Sequence, residues 1–221
     1  GADPEIRTWV GDPDGADAPW WDHANWAESV SPTYLNIAYF GPAAQSPSKI
    51  DGYVYATVGG IHLGDTSHLG ASPVLVFDHW LELLGGIRSV TTGPQTWVFG
   101  GFGDIILWDY ITGDAVAFEI GEQQTLTVEP WLYAADGLLL LGEGDYIFRG
   151  VIHSYGLNKA GFTLDTSGRV RLENRILFGS GVSVLRGTLE IAHADALSSV
   201  GGLSIGGAGE TVTIRDDVDG M

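Results

Sequence analysis

The chain has 221 residues, with 33 glycines, only 10 lysines and arginines together, and no cysteine. This composition is poor in helix-favouring residues and rich in turn-favouring ones, so it argues against a helical protein. The formal net charge of −18 argues against binding to nucleic acid or to anionic membrane surfaces, because both need clustered lysine or arginine. The apolar fraction of 44% is enough for a packed core and argues against disorder.

The first 49 residues are distinguished by a tryptophan cluster of Trp9, Trp20, Trp21 and Trp26. One interpretation is a binding face, in which the indoles stack on sugar rings and nearby aspartates accept hydrogen bonds from hydroxyls. The other is an aromatic cap that covers the open end of a β fold. We favour the cap.

From Ile50 onward the sequence is a series of short apolar runs separated by Gly, Asp, Pro or Ser, which is typical of β-strands. Only His79–Leu84 and Ala192–Ser198 are predicted as possible helical turns, too short for a βαβ protein. The predicted strands are Tyr53–Val58, Val74–Phe77, Thr96–Phe99, Ile105–Trp108, Val116–Ile120, Thr125–Val128, Leu138–Leu141, Tyr146–Ile152, Arg169–Leu172, Val182–Leu185, Thr188–Ile191 and Thr211–Ile214.

A loose internal repeat separates the possible all-β folds. The segment Val58–Leu63 (VGGIHL) recurs 26 residues later as Leu84–Ser89 (LGGIRS), and in part as Val200–Ile205. A spacing of this size suits one coil of a β-helix. The sequence therefore predicts a single domain that is an all-β, right-handed parallel β-solenoid. We expect residues 1–49 to form its aromatic amino-terminal cap and residues 50–221 to form its rungs. We also expect the sequence to be part of a longer chain, because it opens without a signal peptide and its acidic end has no obvious cap.

Two segments carry a resemblance to a known family. Leu138–Ile152 (LLLLGEGDYIFRGVI) and Gly168–Ile191, with its Gly-Thr-Leu-Glu-Ile ending, resemble the bacterial autotransporter-associated β-strand repeat. The opening Thr8-Trp9-Val10-Gly11, followed by Trp20 to Trp26, is similar to the start of such passenger domains. The chain departs from the repeat where Leu164–Ser167 replaces a glycine-rich lead-in and where Phe178 replaces a tyrosine.

This resemblance implies a structural or adhesive passenger segment of a secreted or cell-surface bacterial protein, and it implies no enzymatic chemistry. A possible partner is a host or environmental glycan or a surface protein. The alternatives are a carbohydrate-binding module and, less favoured, a polysaccharide-degrading β-helix enzyme. No segment is long and apolar enough to cross a membrane as a helix.

Ligand-binding candidates are the tryptophans expected outside the core. Trp80 and Trp131 follow turn residues and are predicted to be exposed, whereas Trp97 and Trp108 lie within apolar strands and are predicted to be buried. With the two amino-terminal indoles of the binding interpretation, the predicted ligand-binding residues are Trp20, Trp21, Trp80 and Trp131.

Catalytic and metal sites have little support in the sequence. The run Asp12–Asp17 lacks the spacing of an EF-hand, and the six histidines lack the spacing of a zinc site. Polysaccharide hydrolysis would need two carboxylates across a groove. The available pairs are Asp104 with Asp109 and Glu119 with Glu129. We predict no catalytic residue, no metal and no cofactor.

Overall fold

A computed structural model shows an all-β chain, which confirms the predicted fold class. It describes residues 4–11, 18–41, 50–51, 56–65, 74–76, 80–91, 93–101, 103–107, 115–154, 161–206 and 212–216. Within these ranges the one helical segment is the 3₁₀ turn His23–Asn25. The strands are β1 (Glu5–Trp9), β2 (Ala18–Pro19), β3 (Asn36–Phe40), β4 (Ile50–Asp51), β5 (Ala56–Val58), β6 (Gly60–Leu63), β7 (Val74–Val76), β8 (Leu81–Leu83), β9 (Gly86–Ser89), β10 (Gln95–Gly100), β11 (Ile105–Leu107), β12 (Val116–Ile120), β13 (Gln124–Val128), β14 (Leu132–Ala134), β15 (Leu138–Gly142), β16 (Asp145–Phe148), β17 (Ile152–Ser154), β18 (Phe162–Leu172), β19 (Ile176–Leu177), β20 (Val182–Ile191), β21 (Leu203–Ile205) and β22 (Val212–Asp216).

The strands stack as a β-solenoid with three faces. The first face runs β1-β3-β6-β9-β12-β15, the second runs β7-β10-β13-β16, and the third runs β5-β8-β11-β14-β17-β19. The long strand β18 pairs with β15 through its first half and with β16 through its second half, so it joins the first two faces. The ladders between these strands are parallel, and each coil is covered by its sequence neighbours.

The internal repeat seen in the sequence marks equivalent positions on successive coils. Ile61 is the register partner of Ile87 on the first face, and Leu203 extends the same face by pairing with Val182. Gly86 of the repeat has φ +111°, and a Cβ there would lie 2.1 Å from the carbonyl oxygen of the next coil. Glycine is therefore required at this corner.

The core is a set of apolar stacks that run along the solenoid axis. Strand alternation sends every second side chain inward, and the parallel register places inward residues of successive coils on top of one another. Burying a side chain of this size stabilises the fold by roughly 1.5–3 kcal/mol. The inward stack of the first face is at most 1% exposed and consists of Ala38, Ile61, Ile87, Phe118, Leu140 and Leu164.

Some strand boundaries differ from the prediction. The predicted run Tyr146–Ile152 is divided into β16 and β17 at Gly150, where a Cβ would lie 1.9 Å from the Pro130 carbonyl oxygen. The backbone of the preceding coil passes too close there for any side chain. Conversely, the runs Val182–Leu185 and Thr188–Ile191 are one strand, β20.

The helical turn predicted at His79–Leu84 was wrong for the part that the structure describes. Leu81–Leu83 is strand β8, whose alternating Leu-Glu-Leu pattern buries both leucines. Its Glu82 accepts a hydrogen bond of 2.7 Å from the Thr57 hydroxyl on the neighbouring coil. Ala192–Ser198 contains turns in which residue i+3 donates to residue i, such as Ala196 N–H to the His193 carbonyl at 3.0 Å.

Candidate functional site

Three residues at one corner of the solenoid form a column along its axis. Strands β8, β11 and β14 begin at Leu81, Ile105 and Leu132, which are register partners on the third face. The residues that immediately precede them are Trp80, Asp104 and Trp131. We call these three residues the corner column.

Main-chain hydrogen bonds fix the corner column. The N–H of the residue after Trp80 donates to the Asp104 carbonyl at 3.0 Å, and the N–H of the residue after Asp104 donates to the Trp131 carbonyl at 2.8 Å. Trp80 and Trp131 are 49% and 52% exposed, which confirms the prediction that both lie outside the core. Two coils of a sheet separate them, a distance of about 9.5 Å along the axis.

A cleft of about 520 Å³ opens beside the corner column. This volume lies within the range of small-molecule sites in proteins. We call it the corner cleft, and its lining includes Gly101, Gly103, Asp104, Glu129, Trp131 and Tyr133.

The two acidic residues of the corner cleft differ in their surroundings. Burial raises the pKa of the Asp104 carboxyl above its ordinary value. Among the described residues, no hydrogen bond or ion pair to the Asp104 carboxylate is found. Burial and the charge of Asp104 together raise the pKa of Tyr133.

Glu129, in contrast, is held by an arginine. Arg149 donates to it from Nη1 at 2.8 Å and donates from Nε to Glu173 at 3.2 Å. The hydrogen bond with Glu129 is the main reason that the pKa of Arg149 is raised. Because Arg149 offsets the charge of Glu129, Asp104 is the main source of uncompensated negative charge among the described residues that line the corner cleft.

Aromatic rings continue from the corner cleft onto the third face. The ring of Tyr133 lies 6.3 Å from that of Trp131 and 5.7 Å from that of His153, its register partner on the next coil. The Nδ1 atom of His153 is buried without a hydrogen-bond partner in the described part of the chain. The cleft therefore combines an exposed indole, a second aromatic ring and two carboxylates.

The predicted ligand-binding residues do not come together as one set. Trp20 is only 5% exposed, so the prediction that it binds ligand is corrected. Its ring centroid lies 4.9 Å from that of Trp26, in an edge-to-face arrangement. Trp21 is 51% exposed but is not part of the corner cleft. Trp80 and Trp131 are the pair that the fold brings to one corner.

The amino-terminal tryptophans form a buried aromatic cluster. Trp26 packs at 5.1 Å from Trp9 and at 6.1 Å from Phe40 of β3. Its Nε1 donates to the Trp20 carbonyl at 2.8 Å. These contacts favour a structural role over sugar stacking for the buried members, and the capping role stays a prediction.

Other predicted positions fall elsewhere. Glu119 lies on β12 of the first face, where it pairs with Arg88 at 3.2 Å, and so it is not brought to Glu129. Asp109, Trp108 and the Asp12–Asp17 run lie outside the described residues. Trp97 is fully buried, as predicted.

A second depression, of about 540 Å³, lies on the first face. Its floor contains the two glycine pairs of the internal repeat, Gly59-Gly60 and Gly85-Gly86, and its edge contains the exposed side chains of Tyr34 and Leu35. The Arg88–Glu119 ion pair closes one side. It thus lacks the uncompensated carboxylate that distinguishes the corner cleft.

No group of three or more His, Asp or Glu side chains is placed to hold a metal ion within the described ranges. Over the same ranges, no helix has the length and apolarity needed to cross a membrane.

Sequence reasoning did not predict that Asp104 lies between the two exposed tryptophans or that it shares a cleft with Glu129. The signal that could have identified Asp104 is its place immediately before a short apolar run of the third face.

Comparison of the chain with protein-family models, with curated proteins and with solved structures found no match.

Proposed function

We propose that the chain is a structural and adhesive segment of a secreted or cell-surface bacterial protein, of the kind found in autotransporter passengers. The observation that carries this proposal is a solenoid whose coils are held by parallel ladders and a continuous apolar core, with exposed indoles at one corner. A stack of coils of this kind forms an extended scaffold on which surface residues are displayed at fixed spacing.

Composition supports the same proposal. The charge of −18 keeps a surface protein soluble and repels nucleic acid and anionic lipid. The absence of cysteine suits a chain that must remain unlocked during export. The segments that resemble the autotransporter-associated repeat supply strands β15 and β16, the second half of β18, and strands β19 and β20 of the solenoid.

Adhesion is tested with beads that carry the purified chain, applied to surfaces coated with bacterial, plant and animal polysaccharides and with extracellular-matrix proteins. We expect retention under flow on at least one surface. The matched control is Gly150→Val, because a side chain there collides with the Pro130 carbonyl and disrupts the coil. Equal retention of both proteins, or no retention on any surface, would contradict the adhesive function.

Export and the absence of catalysis need separate measurements. Antibody labelling and protease treatment of intact source cells should reach the chain, and its confinement to the cytoplasm would refute the surface assignment. Incubation with the same polysaccharides should release no reducing ends and no unsaturated products. Release of either by the purified chain would instead support the polysaccharide-degrading alternative.

A further inference from the structure

We propose that the corner cleft is a carbohydrate-binding subsite that takes an uncharged sugar on the face of Trp131, with the glycan running along the solenoid axis towards Trp80. This inference rests on the proposed adhesive function and names the class of ligand that serves it.

The first step of the argument is the exposed indole. Trp131 is 52% exposed although it is a large apolar side chain, and it borders a cleft of about 520 Å³. An indole presents a flat apolar face with high contact area and few rotatable bonds. A pyranose ring presents a matching flat face of C–H groups, whereas a phosphate presents only charged oxygens.

The second step is the set of hydrogen-bond acceptors beside that face. The carboxylates of Asp104 and Glu129 line the same cleft as the indole. Carboxylates accept hydrogen bonds from hydroxyl groups with favourable geometry. Arg149 holds the Glu129 carboxylate in place through its hydrogen bond, so that at least one acceptor is fixed before the ligand arrives.

The third step is charge, which selects among sugars. Asp104 sits partly buried in the cleft, and no arginine or lysine is among the described residues that line it. A uronate or a sialic acid would place a second carboxylate beside Asp104 in a molecule of net charge −18, and like charges at this distance repel. The site therefore favours an uncharged glycan.

The fourth step is direction. Trp80 and Trp131 occupy equivalent corner positions with Asp104 between them, about 9.5 Å apart along the axis. This separation is comparable to the length of a disaccharide unit in an extended glycan, so the two indoles can stack on a sugar and on the second sugar after it. A chain of several sugars can thus contact both indoles, whereas a disaccharide stacked on Trp131 ends before it reaches Trp80.

The experiment titrates the purified chain with the neutral hexasaccharides of cellulose, xylan, mannan and laminarin, and with the hexamer of galacturonic acid, by isothermal calorimetry. We expect at least one neutral hexasaccharide to bind and the galacturonate to bind at least about tenfold more weakly. Trp131→Ala should weaken the neutral interaction by about tenfold or more, a loss typical of a central contact residue. The matched control is Tyr34→Ala, which removes a similarly exposed aromatic ring outside the corner cleft and should leave the affinity unchanged.

Two further variants test the geometry. Trp80→Ala should weaken the hexasaccharide and leave the corresponding disaccharide unaffected, because only the longer ligand reaches the second indole. Asp104→Asn should weaken binding while raising the melting temperature, a combination that misfolding would not produce. Each variant is first checked by far-ultraviolet circular dichroism.

The outcomes separate this inference from the proposed function. Four results would overturn the carbohydrate subsite and leave the adhesive function in place. They are bead adhesion that persists in Trp131→Ala, a loss of affinity caused by Tyr34→Ala, stronger binding of the galacturonate, and failure of the whole neutral panel. Glycan binding lost in Trp131→Ala, from a chain whose beads adhere to no surface, overturns the adhesive function and leaves the subsite in place.

Discussion

We predict that the Tyr146 hydroxyl stabilises the solenoid through hydrogen bonds to the backbone of neighbouring coils, and Tyr146→Phe tests this. The side chain is fully buried on β16, and its oxygen accepts from the Ile120 N–H at 3.0 Å. The hydroxyl lies 2.8 Å from the Phe118 carbonyl and 2.7 Å from the Leu141 carbonyl, to which it donates. One hydroxyl thus contacts backbone groups of β12 and β15 from the interior.

The expected cost follows from what the substitution leaves behind. Phenylalanine keeps the ring and its packing against Phe148, whose ring stacks on that of Tyr146 at 6.4 Å. It removes the acceptor for the buried N–H of Ile120 and the single O–H proton, which has the Phe118 and Leu141 carbonyls within reach. A buried polar group without a partner costs about 1–3 kcal/mol, so we expect the free energy of unfolding to fall by about 2 kcal/mol.

Urea unfolding followed by both circular dichroism and tryptophan fluorescence measures this change, provided that the denaturant slope is unaltered. Burial is the main cause that raises the pKa of Tyr146 well above its usual value, so the hydroxyl stays protonated and the loss should be the same from mildly acidic to mildly basic pH. Hydrogen exchange should also accelerate at the Ile120 amide.

The control is Tyr34→Phe, which removes a hydroxyl from a side chain that is 55% exposed and should change stability by less than about 0.5 kcal/mol. If Tyr146→Phe and Tyr34→Phe have the same free energy of unfolding, or if exchange at Ile120 is unchanged, the interior hydrogen bonds do not contribute and the reasoning is refuted.

Three further predictions concern the core, the ion pairs and pH. Trp97→Phe removes a buried Nε1 that has no hydrogen-bond partner among the described residues, whereas Trp26→Phe removes a hydrogen-bonded Nε1. In calorimetric melting, Trp26→Phe should therefore lower the free energy of unfolding by about 1–2 kcal/mol more than Trp97→Phe. The reverse order would contradict this reasoning. Glu190 is 7% exposed and forms ion pairs with two arginines. Because these arginines are partly exposed and solvent screens the pairs, Glu190→Gln should lower the free energy of unfolding by only about 1–2 kcal/mol. An unchanged urea midpoint would show that the ion pairs contribute nothing. Burial raises the pKa of Asp104, so its ionised form is disfavoured in the folded state and stability is lost as pH rises through the folded pKa. Asp104→Asn should therefore raise the melting temperature at pH near 7, and this gain should vanish towards the ordinary aspartate pKa of about 3.9. A gain that grows on acidification would reverse the assigned sign.

Much of the fold follows from local sequence patterns, because strand alternation and glycine punctuation are short-range signals. The predicted strand Thr125–Val128, in which threonine alternates with an apolar residue, lies within strand β13. The strands of the third face were harder to predict because they are only two or three residues long, too short for alternation to differ from a helical turn. This is why Leu81–Leu83 was assigned to a turn.

The corner column could not be derived from the sequence because the coils differ in length. Ile61 pairs with Ile87, as the repeat predicts, but Ile87 then pairs with Phe118 across a longer interval. An inserted residue between two strands changes which side chains meet at a corner without disturbing either strand's alternation. Exposure of Trp131 was therefore predictable from its turn position, whereas its alignment with Asp104 was not.

Unequal coils also explain why a corner suits the ligand site that we propose. Within a face, the ladder dictates which side chains point inward, and an outward residue such as Glu119 is already engaged by Arg88 on the adjacent coil. At the corner before the third face, strand pairing fixes the backbone but leaves the side chains of Asp104 and Trp131 directed by the loops that precede them. Selection can alter such residues without changing the core stack, because the main-chain hydrogen bonds that hold the corner do not depend on side-chain identity. The position that is most tolerant for the fold is thus the one best suited to carry a ligand site, which is where the exposed indoles and the Asp104 carboxylate are found.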